Sequence, residues 1–151
     1  MSLVHSPFHR NQRGTALVEL ALILPLLVVM FVGVVDFGLF IREHQILQNA
    51  AREGARYSAL PANYMLMSSN PSAIESSIKN RVVTYLQQEN ITVATSNVTV
   101  NQLYPVDIGG GSGLTATASE VVVSYSRSPL VGGSLFGPVV LTARSVFRNC
   151  Y

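Results

Sequence analysis

The side chains of this chain that could act as nucleophiles, proton carriers or metal ligands are few and widely spaced. His5 and His9 lie near the amino terminus. His44 follows a long apolar run, and Cys150 is the only cysteine. A catalytic or metal site needs several such groups in one fold, and a lone thiol has no internal disulfide partner. The sequence therefore predicts no enzyme, no metal site and no cofactor.

A glycine-rich stretch, Gly109–Gly113, is the one segment that suggests phosphate binding. Phosphate-binding loops continue with Lys and Ser or Thr and lie between a strand and a helix, and neither feature is present here. We interpret the stretch as a flexible connection between strands. The 10 Lys and Arg against 8 Asp and Glu are also too weak a surplus to indicate nucleic-acid binding.

Glu19 is the charged residue whose position points most directly to a function. It stands immediately before an apolar run, Leu20–Ile41, in which Asp36 is the only charged residue. An ionised carboxylate beside hydrocarbon is costly and usually meets a positive partner, so Glu19 is a candidate functional residue. The alternative is an interfacial glutamate that reaches the lipid headgroups and is stabilised by the helix dipole.

The apolar run has the length and composition of a membrane-spanning helix. About 22 helical residues at roughly 1.5 Å each cover about 33 Å, the thickness of a hydrocarbon core. A buried helix of a soluble domain rarely lacks a polar face over such a length. A signal peptide has a shorter apolar region that ends at a small-x-small site, and the neighbourhood of Asp36 offers none. We predict a single transmembrane segment over residues 15–41, embedded in a lipid bilayer.

Two residues interrupt the apolar run. Pro25 removes one backbone hydrogen bond and is expected to kink the helix. Asp36 lies about 25 Å beyond Glu19 along the helix axis, close to the far membrane surface. We interpret Asp36 as an interfacial acid in preference to a residue with a specific partner.

The charges that flank the anchor indicate its orientation. Residues 1–14 carry Arg10 and Arg13 and no acid. Residues 42–56 carry three Arg against two Glu, so the free amine and the leader histidines decide the comparison. We predict a cytoplasmic leader over residues 1–14 and an extracytoplasmic α+β domain over residues 42–151, of a size suited to one compact unit.

The anchor helix is expected to continue as a long helix to about Leu60, because no turn signal precedes Pro61. Small residues recur at a four-residue spacing on this part of the helix, which allows another backbone to approach closely. Packing on the protein's own sheet is favoured over a seam between subunits. One face carries Ile46, Ala50, Gly54 and Ser58, and the adjoining face carries Leu47, Ala51, Ala55 and Ala59.

A second, amphipathic helix is predicted from Pro71 to Gln88, with Asn70 as its N-cap. Strands are predicted from the β-branched stretches Ile91–Val100, Glu120–Tyr125 and Val139–Phe147. The alternation of the first slips near Ser96-Asn97, which indicates either a bulge or two short strands. The expected fold class is α+β, with an antiparallel sheet of three or four strands.

The connection Ser128–Pro138 is rich in Gly and Pro but also carries apolar residues. They either pack onto the core or form an exposed patch for a partner, and the first is favoured. They are Leu130, Val131, Leu135 and Phe136.

The segment that begins at Gly14 resembles a known family. A basic leader that ends in Gly14, with Glu19 ahead of a long apolar helix, looks like the processing site of type IV pilins and pseudopilins. The wider pattern, which includes Pro25, Asp36-Phe-Gly and Gln48–Tyr57, resembles the TadE-like pseudopilins of tight-adherence (Tad, or Flp) pilus systems. The resemblance covers about residues 13–60, with a weaker similarity at Leu141–Arg148.

This resemblance implies a pilin-like helix and a non-catalytic role in pilus assembly at the bacterial inner membrane. A prepilin peptidase is expected to cut between Gly14 and Thr15. Glu19 is expected to act in recognition or in pairing with a subunit's new amino terminus. Partners would be the peptidase, other pilins or pseudopilins and pilus assembly proteins of the membrane. One residue departs from the family pattern, since Leu20 stands where an aromatic residue is common.

A second function class is compatible with the same residues. A membrane-tethered domain could recognise a ligand outside the membrane, as a binding or sensory module, and never be processed. Cleavage at Gly14 distinguishes the two hypotheses.

Overall fold

The computed structural model describes residues 12–111, 113–130, 133 and 137–149. The predictions made for His5, His9, Cys150 and most of the leader lie outside these residues, as do those for Val131, Leu135 and Phe136. Within the described residues, three α-helices precede three strands. In chain order they are α1 (Gln12–Ser58), α2 (Pro61–Met67), α3 (Pro71–Gln88), β1 (Val98–Asp107), β2 (Thr115–Arg127) and β3 (Val139–Arg148).

The three strands form one antiparallel sheet in the order β1-β2-β3. Thr115, at the start of β2, pairs with Asp107, whereas Arg127, at its end, pairs with Val139. The β1–β2 hairpin loop and the β2–β3 connection therefore lie at opposite ends of the sheet. The glycine-rich stretch falls in the hairpin loop, where the Asp107 carboxylate accepts hydrogen bonds from the backbone N–H of Gly109 and Gly111, both at 2.8 Å. The predicted α+β class is confirmed.

The second half of α1 packs across one face of the sheet, over β2 and β3, and α3 packs beside it towards β1. The small residues predicted to allow close approach lie on this packed part of α1. Gly54 is the tightest point, because a Cβ atom there would collide with Val82 of α3 and press on Val121 of β2. The preference for packing on the protein's own sheet is confirmed.

The core of the domain is built from aliphatic residues of α1, α3 and the sheet. Its fully buried larger side chains are Leu47, Ile78, Val82, Leu86, Val98, Val121 and Val123. A buried polar chain closes one side: the Ser58 hydroxyl lies 3.0 Å from that of Ser119, which lies 3.2 Å from Asn149 Oδ1. These contacts connect the end of α1 to β2 and to the residue that follows β3.

Helix α3 has the predicted bounds, and the Asn70 side chain accepts a hydrogen bond from the backbone N–H of Ala73. Helix α2 was not predicted. Pro61 was interpreted only as the end of α1, but proline also fits the first turn of a new helix, where its missing N–H costs nothing.

The first predicted strand is placed too early. Ile91 and Val93 are buried outside any strand, and Thr95–Asn97 form a turn of 3₁₀ helix. Strand β1 begins at Val98 and continues through Pro105, which is tolerated because β1 is an edge strand. The irregularity in its register lies between Asn101 and Tyr104.

Candidate functional site

The predicted processing residues occupy the first turns of α1. Gly14, Thr15 and Glu19 all lie in the helix, which begins at Gln12. Glu19 follows Thr15 by four residues, so the two lie one turn apart on the same face. The side chain of Glu19 is exposed. Pro25 is accommodated within α1, which continues through it.

The packing of the described residues does not require glycine at position 14. A Cβ atom there would meet nothing within 4 Å, and the backbone has no conformation that requires glycine. At Gly54, in contrast, packing excludes a larger residue. The glycine at position 14 is therefore not explained by the packing of the described residues.

The apolar part of α1 is not covered by the rest of the protein. The helix meets the length and composition expected of a membrane span, and none of its most apolar stretch is buried. Large apolar side chains are exposed along it, among them Leu22, Met30, Phe31 and Val34 at 80%, 65%, 66% and 72%. A single-pass membrane anchor fits this surface, because lipid would satisfy side chains that water would not.

At the far end of the anchor, Asp36 forms two hydrogen bonds with the end of β2 and the residues that follow it. Asp36 Oδ1 accepts from Arg127 Nη2 at 3.2 Å, and Oδ2 accepts from the backbone N–H of Leu130 at 3.0 Å. Asp36 is buried, and so is most of the Arg127 side chain. The interpretation of Asp36 as an interfacial acid without a specific partner is therefore wrong.

Two further residues of α1 complete this cluster, which we call the junction cluster (Asp36, Phe40, Glu43, Arg127). Glu43 Oε2 lies 3.2 Å from Arg127 Nη1 and forms an ion pair with it. Both atoms are buried, and neither makes a hydrogen bond. The Arg127 guanidinium also lies over the Phe40 ring, 4.7 Å from its centroid. Asp36, Phe40 and Glu43 recur every three to four residues on one face of α1, so a single arginine reaches all three.

One feature of the sequence pointed to the junction cluster, but the spacing of residues could not identify the partner. A carboxylate in an apolar helix usually has a partner, but the position of Asp36 near the far membrane surface favoured an interfacial acid. Arg127 lies 91 positions further along the chain. Its proximity depends on how the sheet lies across α1, which local patterns do not encode.

The outer face of the sheet carries a separate exposed contact. Arg144 of β3 forms an ion pair with Glu120 of β2 and lies over the Tyr104 ring, 5.0 Å from its centroid. The hydrogen bond with Glu120 raises the pKa of Arg144 further above its already high ordinary value. This contact joins all three strands across one face.

Within the part of the chain that the structure describes, no three His, Cys, Asp or Glu residues come together as metal ligands. An open groove of about 450 Å³ is lined by residues of α1, α3 and β3, including Arg52, Arg56, Tyr85 and Phe147. Its lining also includes Ser145 and Glu53, and the Glu53 carboxylate is paired with Arg81 at 3.0 Å.

Comparison with known proteins adds one similarity, and it covers the anchor and the helix beyond it. Residues 14–56 match the family model described as TadE-like protein. This segment is TadE-like. The match begins at Gly14 and includes Glu19, Asp36 and Glu43, whereas Arg127 lies beyond it. No curated protein and no solved structure matches the chain.

The family resemblance inferred from the sequence is confirmed over these residues. The TadE-like segment (residues 14–56) coincides with nearly all of α1. The α3 helix and the three strands lie outside the matched residues.

Proposed function

We propose that this protein is a non-catalytic pseudopilin, or minor pilin, needed for assembly of a Tad/Flp pilus. It is anchored in the bacterial inner membrane by α1, with its amino terminus in the cytoplasm and residues 42–151 outside. A prepilin peptidase cuts between Gly14 and Thr15. The TadE-like match over residues 14–56 is the observation that carries this proposal.

The geometry around Gly14 supports processing at that site. Glycine is not required by the packing of α1, so a requirement imposed by another molecule would account for it. A peptidase must bring its catalytic groups close to the scissile backbone, and a residue without a side chain permits this approach.

The position of Glu19 supports a role after cleavage. Cutting after Gly14 would create an ammonium group on Thr15, about 6 Å below Glu19 along the axis. Side chains of a helix lean towards its amino terminus, so the Glu19 carboxylate leans towards that group. An ammonium group, on the same chain or a neighbouring one, would offset part of the cost of holding a carboxylate beside lipid.

The processing step is tested by the intact mass of membrane-extracted protein, produced with and without a prepilin peptidase. We expect loss of residues 1–14 only when the peptidase is present, and Gly14→Val is expected to block the loss. The matched control is Gly33→Val, the same change at a second helical glycine whose Cβ would also meet open space. Retention of residues 1–14 in wild-type protein under both conditions would favour an unprocessed, membrane-tethered binding domain.

The role of Glu19 is tested by Glu19→Gln, which keeps the size of the side chain and removes its charge. We expect normal membrane insertion, with loss of co-purifying pilus-system proteins and fewer surface pili. Leu26→Ile, an apolar change on the same helix, is the control and should alter neither. If Glu19→Gln matches wild type in both measurements, the carboxylate has no assembly role.

A further inference from the structure

Several exposed apolar side chains lie at the junction between the anchor and the domain. Phe37 and Ile41 belong to α1, Leu130 follows β2, and Val139 and Val140 begin β3. Their exposed fractions are 67%, 46%, 62%, 43% and 62%. We call them the junction patch (Phe37, Ile41, Leu130, Val139, Val140). The expectation that Leu130 packs onto the core is wrong.

The junction cluster fixes the height of this patch along α1. The backbone of Leu130 donates directly to Asp36, and Arg127 binds both Asp36 and Glu43. Val139 is the register partner of Arg127, and Val140 is the partner of Ser126. The end of β2 and the start of β3 are therefore held level with residues 36–43 of the anchor helix.

The same height is where the bilayer ends if α1 spans it. Asp36 lies about 25 Å beyond Glu19, and a hydrocarbon core is about 30 Å thick. The patch thus lies beside a helix that is still passing through the lipid boundary on the side of the domain. Phe37 and Ile41 continue the apolar surface of the anchor. Leu130, Val139 and Val140 add exposed apolar side chains at the same level, with Val139 and Val140 on opposite faces of the sheet.

The charges at this level suit such a location. Arg127 is engaged by Asp36, Glu43 and the Phe40 ring, which lowers the cost of holding charged groups near lipid. We propose that the junction patch is a second membrane contact: Leu130 and the start of β3 insert among the headgroups and upper acyl chains of the outer leaflet. This goes beyond pilus assembly and requires only that α1 spans the bilayer.

The chain contains no tryptophan, so single substitutions provide clean fluorescence probes. Leu130→Trp reports on the patch. Leu114→Trp is the matched control, because Leu114 has the same 62% exposure but precedes β2 at the opposite end of the sheet. Phe31→Trp, within the anchor, reports on insertion of α1. Each full-length variant is reconstituted in lipid vesicles with bromine atoms placed either near the carbonyl groups or deep in the acyl chains.

We expect Leu130→Trp to emit at shorter wavelength than Leu114→Trp and to lose intensity mainly to the shallow bromines. Phe31→Trp should be quenched mainly by the deep bromines, and Leu114→Trp by neither. Quenching of Phe31→Trp without quenching of Leu130→Trp would overturn the second contact and leave the anchor intact. A blue-shifted Leu130→Trp that no bromine quenches would assign the patch to a protein partner, such as a second copy. If Phe31→Trp is not quenched either, both the anchor and the second contact are wrong.

Discussion

At the residue scale, the contact between Asp36 and Arg127 differs in kind from the ion pair between Lys79 and Glu75. Lys79 and Glu75 approach more closely, at 2.7 Å, but stand one turn apart on the exposed side of α3. Asp36 and Arg127 are at 3.2 Å, yet their side chains are only 9% and 11% exposed. Water screens the first pair and not the second, so burial rather than distance decides which contact matters.

The first prediction concerns the coupling energy of this pair. In a double-mutant cycle with Asp36→Asn and Arg127→Gln, we expect about 1–3 kcal/mol, because each single change leaves a buried polar partner unsatisfied. The Glu75→Gln and Lys79→Gln cycle is the control and should give about 0.5 kcal/mol or less. The measurement is denaturant unfolding of the full chain in detergent. Equal coupling in the two cycles would mean that the junction cluster is as well solvated as the surface pair.

At the scale of elements, the contact between α1 and α3 depends on Gly54, because glycine has no side chain. Gly54 faces Val82, a fully buried, β-branched residue with little freedom to rotate. Glycine inside a helix is otherwise unfavourable by about 1 kcal/mol relative to alanine. Its presence here lets α1 lie close to both α3 and the sheet.

The second prediction is that Gly54→Ala destabilises the domain. The collision with Val82 costs about 1–3 kcal/mol, which offsets or exceeds the gain in helix propensity. Gly38→Ala, where the new Cβ would meet nothing within 4 Å, should leave stability unchanged or slightly raised. Thermal unfolding followed by circular dichroism measures both. Because Val82→Ala removes the colliding methyl groups, the double variant should lose less stability than the sum of the two single losses. Purely additive losses would show that the two sites do not touch.

At the scale of the whole molecule, one uninterrupted helix connects the anchor to the domain. Helix α1 runs through Arg42, where the apolar run ends, and its later turns form part of the core. The junction cluster adds a second connection from β2. The domain is therefore held at a fixed position above its anchor, in contrast to a domain on a flexible linker.

The third prediction is a single, narrow distance along this helix. Spin labels at Val34→Cys and Arg56→Cys, in a Cys150→Ser background, should lie about 33 Å apart along the axis, from 22 residues at roughly 1.5 Å each. Pulsed electron paramagnetic resonance in vesicles measures the distribution. His44→Pro should broaden or shorten it by removing a hydrogen bond inside the helix. A broad distribution in the parent protein would place a hinge near Arg42.

Local composition and periodicity were enough to predict several features of the fold. The length of Leu20–Ile41 predicted the anchor, Asn70-Pro71 predicted the start of α3, and β-branched runs predicted the strands of a small antiparallel sheet. The Gly14 to Tyr57 pattern predicted the TadE-like segment. Each of these follows from neighbours in the chain, because helix caps, side-chain periodicity and apolar length are local properties. Cleavage after Gly14 and the role of Glu19 remain predictions.

Contacts between residues far apart in the chain became visible only in the folded protein. The start of β1 shifted to Val98 because Ile91 and Val93 are buried outside the sheet, a position that their β-branched type does not distinguish from a strand. The partner of Asp36 is Arg127, and the backbone of Leu130 lies beside it. These contacts depend on the register of β2 with β3 and on the way the sheet crosses α1. That arrangement is set by the whole core at once, since Gly54 and its neighbours fix how close the layers lie.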